Sequence, residues 1–448
     1  MASIAHALRQ INRDLPQLLA PDFVHQAARS LGHRWRERLL TPVTTLHLLI
    51  LQILYGNTAY AHLPHLAGMK FTPSAFCQAK LRLPIALLAT LLEQLWLRVG
   101  QAAGQAGRWK GHRTFAVDGS SGSMPDTPAL QQRYGQPSGQ KPGCGFPVVN
   151  LLLLFDAATG MIRQFLSGDH RQGELPATPA LHPLLEPGDL LIGDRAFCSF
   201  AHLALLALRG LQALFRMHKK QIVSFKVRRP HAVGKKGKGL PRSRWIRRLG
   251  HQDQLVEHVK PRERPRWIGP EDYAALPECL LVRELRYRVL RPGFRTREVT
   301  LVTTLLDPVA YPKEELALLY LGRWAVENNL RDLKRTLGMA ILKGQSPAMI
   351  ERELLAFVLV YNLVRLVMCQ AARRQGVLPA QISFVDALRW LAHARPGEAM
   401  PDLVVNPKRP DRYEPRVVKR RRDSYKLMVR PRAQLHRELR QGKIVGRC

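Results

Sequence analysis

Apolar positions recur every three to four residues along 39–55 and 83–99, the spacing of helices that bury one face. Between them, Thr72-Pro73-Ser74 supplies a capping side chain and a proline at a helix start. Residues 1–105 therefore read as helical. From Arg113 the period shortens to that of strands, at 114–117, 148–155 and 161–166, with residues 156–160 as the turn joining the last two. A helix at 175–185 follows, then the short apolar run 189–193, suited to a buried strand, then a helix at 199–209. This alternation of strands and helices predicts an α/β core. A long helix is expected from Pro312 to about Leu337, and a very apolar one at 351–369.

The alternation breaks at residues 219–266, which hold 16 Lys or Arg against three acids and include Trp245, with Trp267 directly after them. We read an inserted, β-rich basic element reaching about residue 302. The tryptophans interleaved with Lys235, Lys236, Arg247 and Arg248 favour contact with DNA over a merely solvated charge run. The last stretch, residues 406–448, nets +11 and has its densest run at 419–422, the pattern of a phosphate-binding arm.

Overall charge agrees with that direction. Lys and Arg outnumber Asp and Glu by 69 to 34, a net +35, and such self-repulsion is relieved by a polyanion, most commonly nucleic acid. The six cysteines show no CxxC pair, which points away from a zinc finger or a disulfide framework. With no signal-like start and no run near the roughly 18 apolar residues of a membrane span, the expectation is a soluble, cytoplasmic protein with no membrane partner. For residues 1–105, a small DNA-binding module and an ordinary helical bundle stand side by side as readings.

Two acids end apolar strands, Asp118 after Phe115-Ala116-Val117 and Asp194 after Leu191-Ile192-Gly193. Singly, either one reads as a turn former. Together, on neighbouring strands of an α/β sheet, they could hold a divalent cation. On the helix after Pro312, Tyr320, Arg323, Glu327 and Lys334 fall within an arc of roughly 60°, with Arg331 on the same face. An i,i+4 ion pair between Arg323 and Glu327 is the plainer reading. Phosphodiester exchange accounts for the combination: two cations stabilise the attacking and departing oxygens, oxygen ligands from carboxylates suit Mg²⁺ or Mn²⁺, and Arg or Lys holds the backbone in line. Trp324 points off the charged face and is assigned to the core. Asp156 is read as a turn residue, Asp169 and Glu174 as caps of the next helix, and His170 as structural.

The string Tyr320-x2-Arg323-x3-Glu327-x6-Lys334 resembles the Y-R-E-K signature of the insertion-sequence-four family of DDE transposases. Asp118 in VDGS and Asp194 in GDRAF resemble the family's two aspartate motifs in order and setting. The resemblance spans about residues 113–366. It implies an RNase H-like core interrupted by a β-rich insertion, with Asp118, Asp194 and Glu327 as ligands of two Mg²⁺ ions and Tyr320, Arg323 and Lys334 at the DNA. It also implies binding of terminal inverted repeats in double-stranded DNA by a homodimer, cleavage, strand transfer, and a nucleoid-associated life in the bacterial cytoplasm. Where some relatives carry a base-stacking tryptophan, this chain has Val299-Thr300-Leu301-Val302-Thr303, so a hairpin intermediate is not implied with equal force.

The division that follows is 1–105 helical and DNA-binding, 106–218 first part of the core, 219–302 basic insertion, 303–375 second part with the signature helix, and 376–448 basic C-terminal region. The rivals are an inactive DNA-binding relative and an RNase H-like nuclease acting on RNA.

Overall fold

The computed structural model of the protein describes residues 19–169, 173–218, 220–228, 232–233, 240–289, 298–394, 399–406 and 428–443; His170, Lys235, Lys236, Cys448 and the run 419–422 lie outside them. The N-terminal region is helical, with α1 (Pro21–Ser30), α2 (Pro42–Leu54), α3 (Pro73–Arg82) and α4 (Ile85–Ala106). Thr72 caps α3 by accepting the Ala75 N–H at 3.1 Å, and Pro73 occupies the first turn, where no donor is needed.

Strands β1 (Thr114–Ser123), β2 (Val148–Asp156), β3 (Ile162–Gly168), β4 (Leu190–Gly193) and β5 (Gln212–Arg216) follow, with α5 (Pro128–Tyr134) after β1 and α6 (Phe200–Leu208) between β4 and β5. The helix expected at 175–185 is a single α-turn, Glu174–Ala177, continued as a 3-10 helix, Thr178–Leu184. Pro176, Pro179 and Pro183 remove the donors that an α-helix there would use.

The basic segment does not form a sheet of its own core. After a two-stranded ribbon, β6 (Gln221–Ile222) with β7 (Ala232–Val233), come β8 (Arg242–Gly250), β9 (Asp253–Val259), β10 (Cys279–Arg288) and β11 (Glu298–Thr303). These last four extend one nine-stranded sheet of order β3-β2-β1-β4-β5-β11-β10-β9-β8, joined where β11 pairs antiparallel with β5. Only the pairs β1–β4 and β4–β5 are parallel. Trp245 on β8 is half-buried, and Trp267 packs against the buried group that includes Phe200 and Tyr273.

The chain then forms α7 (Lys313–Gly322) and α8 (Trp324–Arg331), a π-turn at Asp332–Thr336, α9 (Pro347–Gln375), α10 (Phe384–His393) and α11 (Arg432–Arg440). The single long helix expected after Pro312 is thus divided at Arg323 and widened at its end. Trp324 is 38% exposed, which corrects its assignment to the core. By length and composition α9 is apolar enough to cross a membrane, beyond what the apolar runs suggested, yet 89% of that window is buried within the fold. It is the central core helix, packed against α2, α4 and α10. Buried polar side chains fix it to the sheet: Asn362 accepts the Ile162 N–H at 2.8 Å and donates to the Ile162 carbonyl at 2.9 Å, while Arg365 donates to Thr159 O at 2.9 Å. At the same turn the Asp156 carboxylate accepts the Thr159 N–H and hydroxyl at 2.7 and 2.8 Å, so Asp156 is structural as expected.

Candidate active site

Strand alternation decides which way the two aspartates face. On β1, Phe115 and Val117 belong to the buried group under α6, whereas Ala116 joins the group containing Val326 and Leu333. On β4, Leu190 and Ile192 pack with Leu316 and Tyr320. Side chains two residues apart share a face, so Asp118 and Asp194 both follow the parity that leads toward α7 and α8. The parallel register ends at Ala116 opposite Ile192, and each aspartate comes two residues beyond its partner of that pair. At the other end of the same strands, Arg113 forks onto Asp189 at 2.8 and 2.6 Å and fixes their stagger.

Above them, Arg323 stands between carboxylates. Its guanidinium lies 3.6 Å from Asp118 and 3.4 Å from Glu327. Tyr320 lies beneath it, with the Arg323 guanidinium 5.8 Å from the ring centre. The phenol is buried, and burial pushes its pKa up to about 12. Tyr320 therefore supports Arg323 from the core side instead of presenting an open hydroxyl. Arg323 Nε is buried with no hydrogen-bond partner among the described residues. Burial opposes the Arg323 charge, but Tyr320, Asp118, Glu327 and Asp194 outweigh it and hold its pKa above the ordinary value.

Burial raises the pKa of Asp118, and Asp194 and Glu327 add to the rise against the lowering effect of Arg323 and the Gly119 N–H. That N–H donates to Asp118 Oδ1 at 2.9 Å, and the Ala196 N–H donates to Asp194 Oδ1 at 2.7 Å. Three acids far apart in the chain thus share one electrostatic neighbourhood. Among the described residues, no group of three His, Cys, Asp or Glu forms a ready metal cage. A divalent metal is suited here by donor chemistry, all carboxylate oxygen, and by the excess negative charge that Arg323 partly balances.

Glu327, Arg331 and Lys334 line one open groove of about 850 Å³ with Gly119, Ser120 and Asn150. Burial lowers the Lys334 pKa, with Arg335 adding to it. Arg331 is exposed and 3.9 Å from Asp332. Arg247 and Arg248 are exposed on β8, the far edge of the sheet, and are not brought to this groove. Lys235 and Lys236 lie outside the described residues.

Glu174, read from sequence as a cap, stands in the first turn of its helix after the N-cap Gly173 and also lines this groove. Burial raises its pKa, and Asp118 and Asp194 raise it further. The residue type alone could not show that second placement, since only contact with Gly119 reveals it.

A second groove, of about 860 Å³, lies in the N-terminal region between the segment after α1 and helix α3. Arg34, Arg36, Arg38, Lys70 and Arg82 line it together with Trp35 and Phe71.

The family model described as the transposase DDE domain matches residues 109–363, which include Asp118, Asp194 and Glu327. The transposase InsG of insertion sequence element IS4, from Escherichia coli (strain K12), is 26% identical over 372 residues, covering 78% of this chain and 77% of its own. Among solved structures, a piggyBac transposase synaptic complex with hairpin DNA is 10% identical, with a TM-score of 0.43 and coverage of 88% of this chain and 80% of that one, a likeness too loose to bear on the fold. A family match over more than half the chain, with the IS4 relative aligned along most of both proteins, places this protein among the DDE transposases, in the insertion-sequence-four family.

Proposed function

We propose that this DNA transposase cuts DNA at the terminal inverted repeats of its element and joins the freed 3′-hydroxyl to target DNA, with Asp118, Asp194 and Glu327 holding divalent cations, Mg²⁺ or Mn²⁺. The observation that carries this reading is the arrangement of Asp118, within β1 just past its pairing with β4, and Asp194, just past the end of β4, on the face beneath the signature helices, with Arg323 ion-paired to both Asp118 and Glu327. Two bound ions would stabilise the attacking and departing oxygens of phosphodiester exchange. The chain's own residues account for the rest. Arg323, seated on Tyr320, is placed to exchange its carboxylate partners for a phosphate. Lys334 and Arg331 line the groove beside Glu327, where they hold the backbone in line. Strand order β3-β2-β1-β4-β5 supports an RNase H-like core, to which β8 to β11 add a basic extension.

Supercoiled DNA carrying the element's ends is expected to be nicked at the element boundary in the presence of Mg²⁺. Absence of nicking with Mg²⁺ and with Mn²⁺ alike ends this reading.

The N-terminal groove is assigned to phosphate contact on its arginines and lysine. Replacing Arg36 and Arg82 by Ala together should weaken binding to all sequences alike, lowering the slope of log K against log salt by about 2, roughly one per lost contact. An unchanged salt slope in a fluorescence anisotropy titration removes DNA from that groove.

A further inference from the structure

We propose that Glu174 supplies a fourth carboxylate to the metal-binding group of Asp118, Asp194 and Glu327. This rests on the reading of those three as metal ligands.

The geometry begins with Gly119, the neighbour of Asp118. A Cβ built there would stand 1.6 Å from Glu174 Oε1 and 2.0 Å from its carboxyl carbon. The carboxylate of Glu174 therefore lies directly on the backbone of the first aspartate motif, in space that only glycine leaves open. Gly119 has no left-handed φ, so a side chain there would meet only the movable end of Glu174 and would displace that carboxylate.

Glu174 shares the open groove with Ser120, Asn150, Glu327 and Lys334. Asp118 and Asp194 are near enough to repel its charge. Among the described residues its carboxylate has no hydrogen bond and no ion pair, although Arg331, Lys334 and Arg335 line the same groove. A half-buried carboxylate near two others, with no cation bonded to it among the described residues, is unfavourable unless something cationic arrives. Arg323 serves Asp118 and Glu327 and does not reach Glu174. An oxygen-seeking divalent ion is the cation that fits what remains.

The test is Mn²⁺ binding by the full-length protein, with and without end DNA, followed by electron paramagnetic resonance of the free ion. Glu174→Gln keeps the shape and removes the charge, whereas Gly119→Ala keeps the charge and displaces the carboxylate. Both should weaken Mn²⁺ binding about 10- to 100-fold, the range seen when a group supporting a metal site is lost. Glu174→Asp should restore part of the affinity. Melting of the metal-free Glu174→Gln protein should match wild type, because no bond is lost.

If Glu174→Gln and Gly119→Ala bind Mn²⁺ like wild type while Asp118→Asn does not, the fourth ligand is wrong and the three-acid reading stands. If Asp118→Asn also binds normally, or wild type binds none in either state, the three-acid reading fails and Glu174 goes with it. Should Glu174→Gln melt early, wild-type binding by Gly119→Ala would overturn the proposal by itself.

Discussion

Glu327→Gln is expected to bind element-end DNA at close to wild-type affinity and to lose nicking by on the order of 10⁴-fold. The substitution removes one charge and almost no volume, so the signature helices should keep their packing. Their buried core residues include Leu316, Tyr320, Val326 and Leu333, none of which is substituted. The Glu327 side chain is 50% exposed and its 3.4 Å pair with Arg323 is screened by solvent, so stability should shift by less than about 1 kcal/mol. On the proposed reading, what is lost is one anionic oxygen donor from a set of carboxylates. Gel shift on the end DNA separates binding from chemistry. Wild-type nicking by this variant would remove Glu327 from the site, and a parallel loss of binding would assign it to DNA contact instead.

Glu353→Ala is expected to destabilise the fold by about 3 to 5 kcal/mol, the scale for removing one partner from a buried charged network. Glu353 is 1% exposed and accepts from Asn57 Nδ2 at 3.1 Å, from the Lys343 N–H at 3.0 Å and from the Gly344 N–H at 2.8 Å. Asn57 in turn accepts from Gln52 at 2.7 Å, and the Lys343 ammonium donates to the Asn57 carbonyl. Lys80, wholly buried nearby, has its pKa lowered by burial, with Glu353 pushing back upward. Alanine would leave donors from two segments buried without an acceptor.

With Glu353 itself near the start of α9, the network joins the chain just past α2 to the chain just past the signature. That last stretch is bonded to the end of β1, where the Leu342 N–H donates to Ser123 O at 2.9 Å. Loosening it should disturb the strand carrying Asp118 as well as the fold. Urea unfolding checks the magnitude, and a loss below about 1 kcal/mol would show that the network relaxes around the gap. Glu353→Gln, which keeps an acceptor, should fall in between.

The acids and the signature helix were legible because each rests on a local pattern. An apolar run that ends in an aspartate marked the end of β4, although β1 runs on past Asp118 to Ser123, and charges at 3, 7 and 14 residues mark a helix face. The π-turn at Asp332–Thr336 interrupts that period, yet Lys334 still lines the groove with Glu327. Trp324 was misplaced because the face opposite a charged stripe need not be covered, and here nothing covers it fully. The interrupted helix at 175–185 was in principle readable from Pro176, Pro179 and Pro183, whose missing N–H groups outweigh the apolar spacing.

By itself, then, the amino-acid order determined most of the strands and helices around the site, that Asp118 and Asp194 follow apolar strand residues, and that the protein carries the charge of a nucleic-acid partner. Those properties follow from periodicity and composition within a dozen or so residues. Tertiary structure alone decided that the basic strands would continue the main sheet through β11 against β5, that Tyr320 would sit under Arg323, and that Glu353 would join three segments. It also set Glu174 on the backbone of Gly119. Apart from the Tyr320–Arg323 pair, each of these is a contact between residues distant in sequence, where close packing, hydrogen-bond satisfaction and charge pairing select one partner among many that local patterns leave equally eligible.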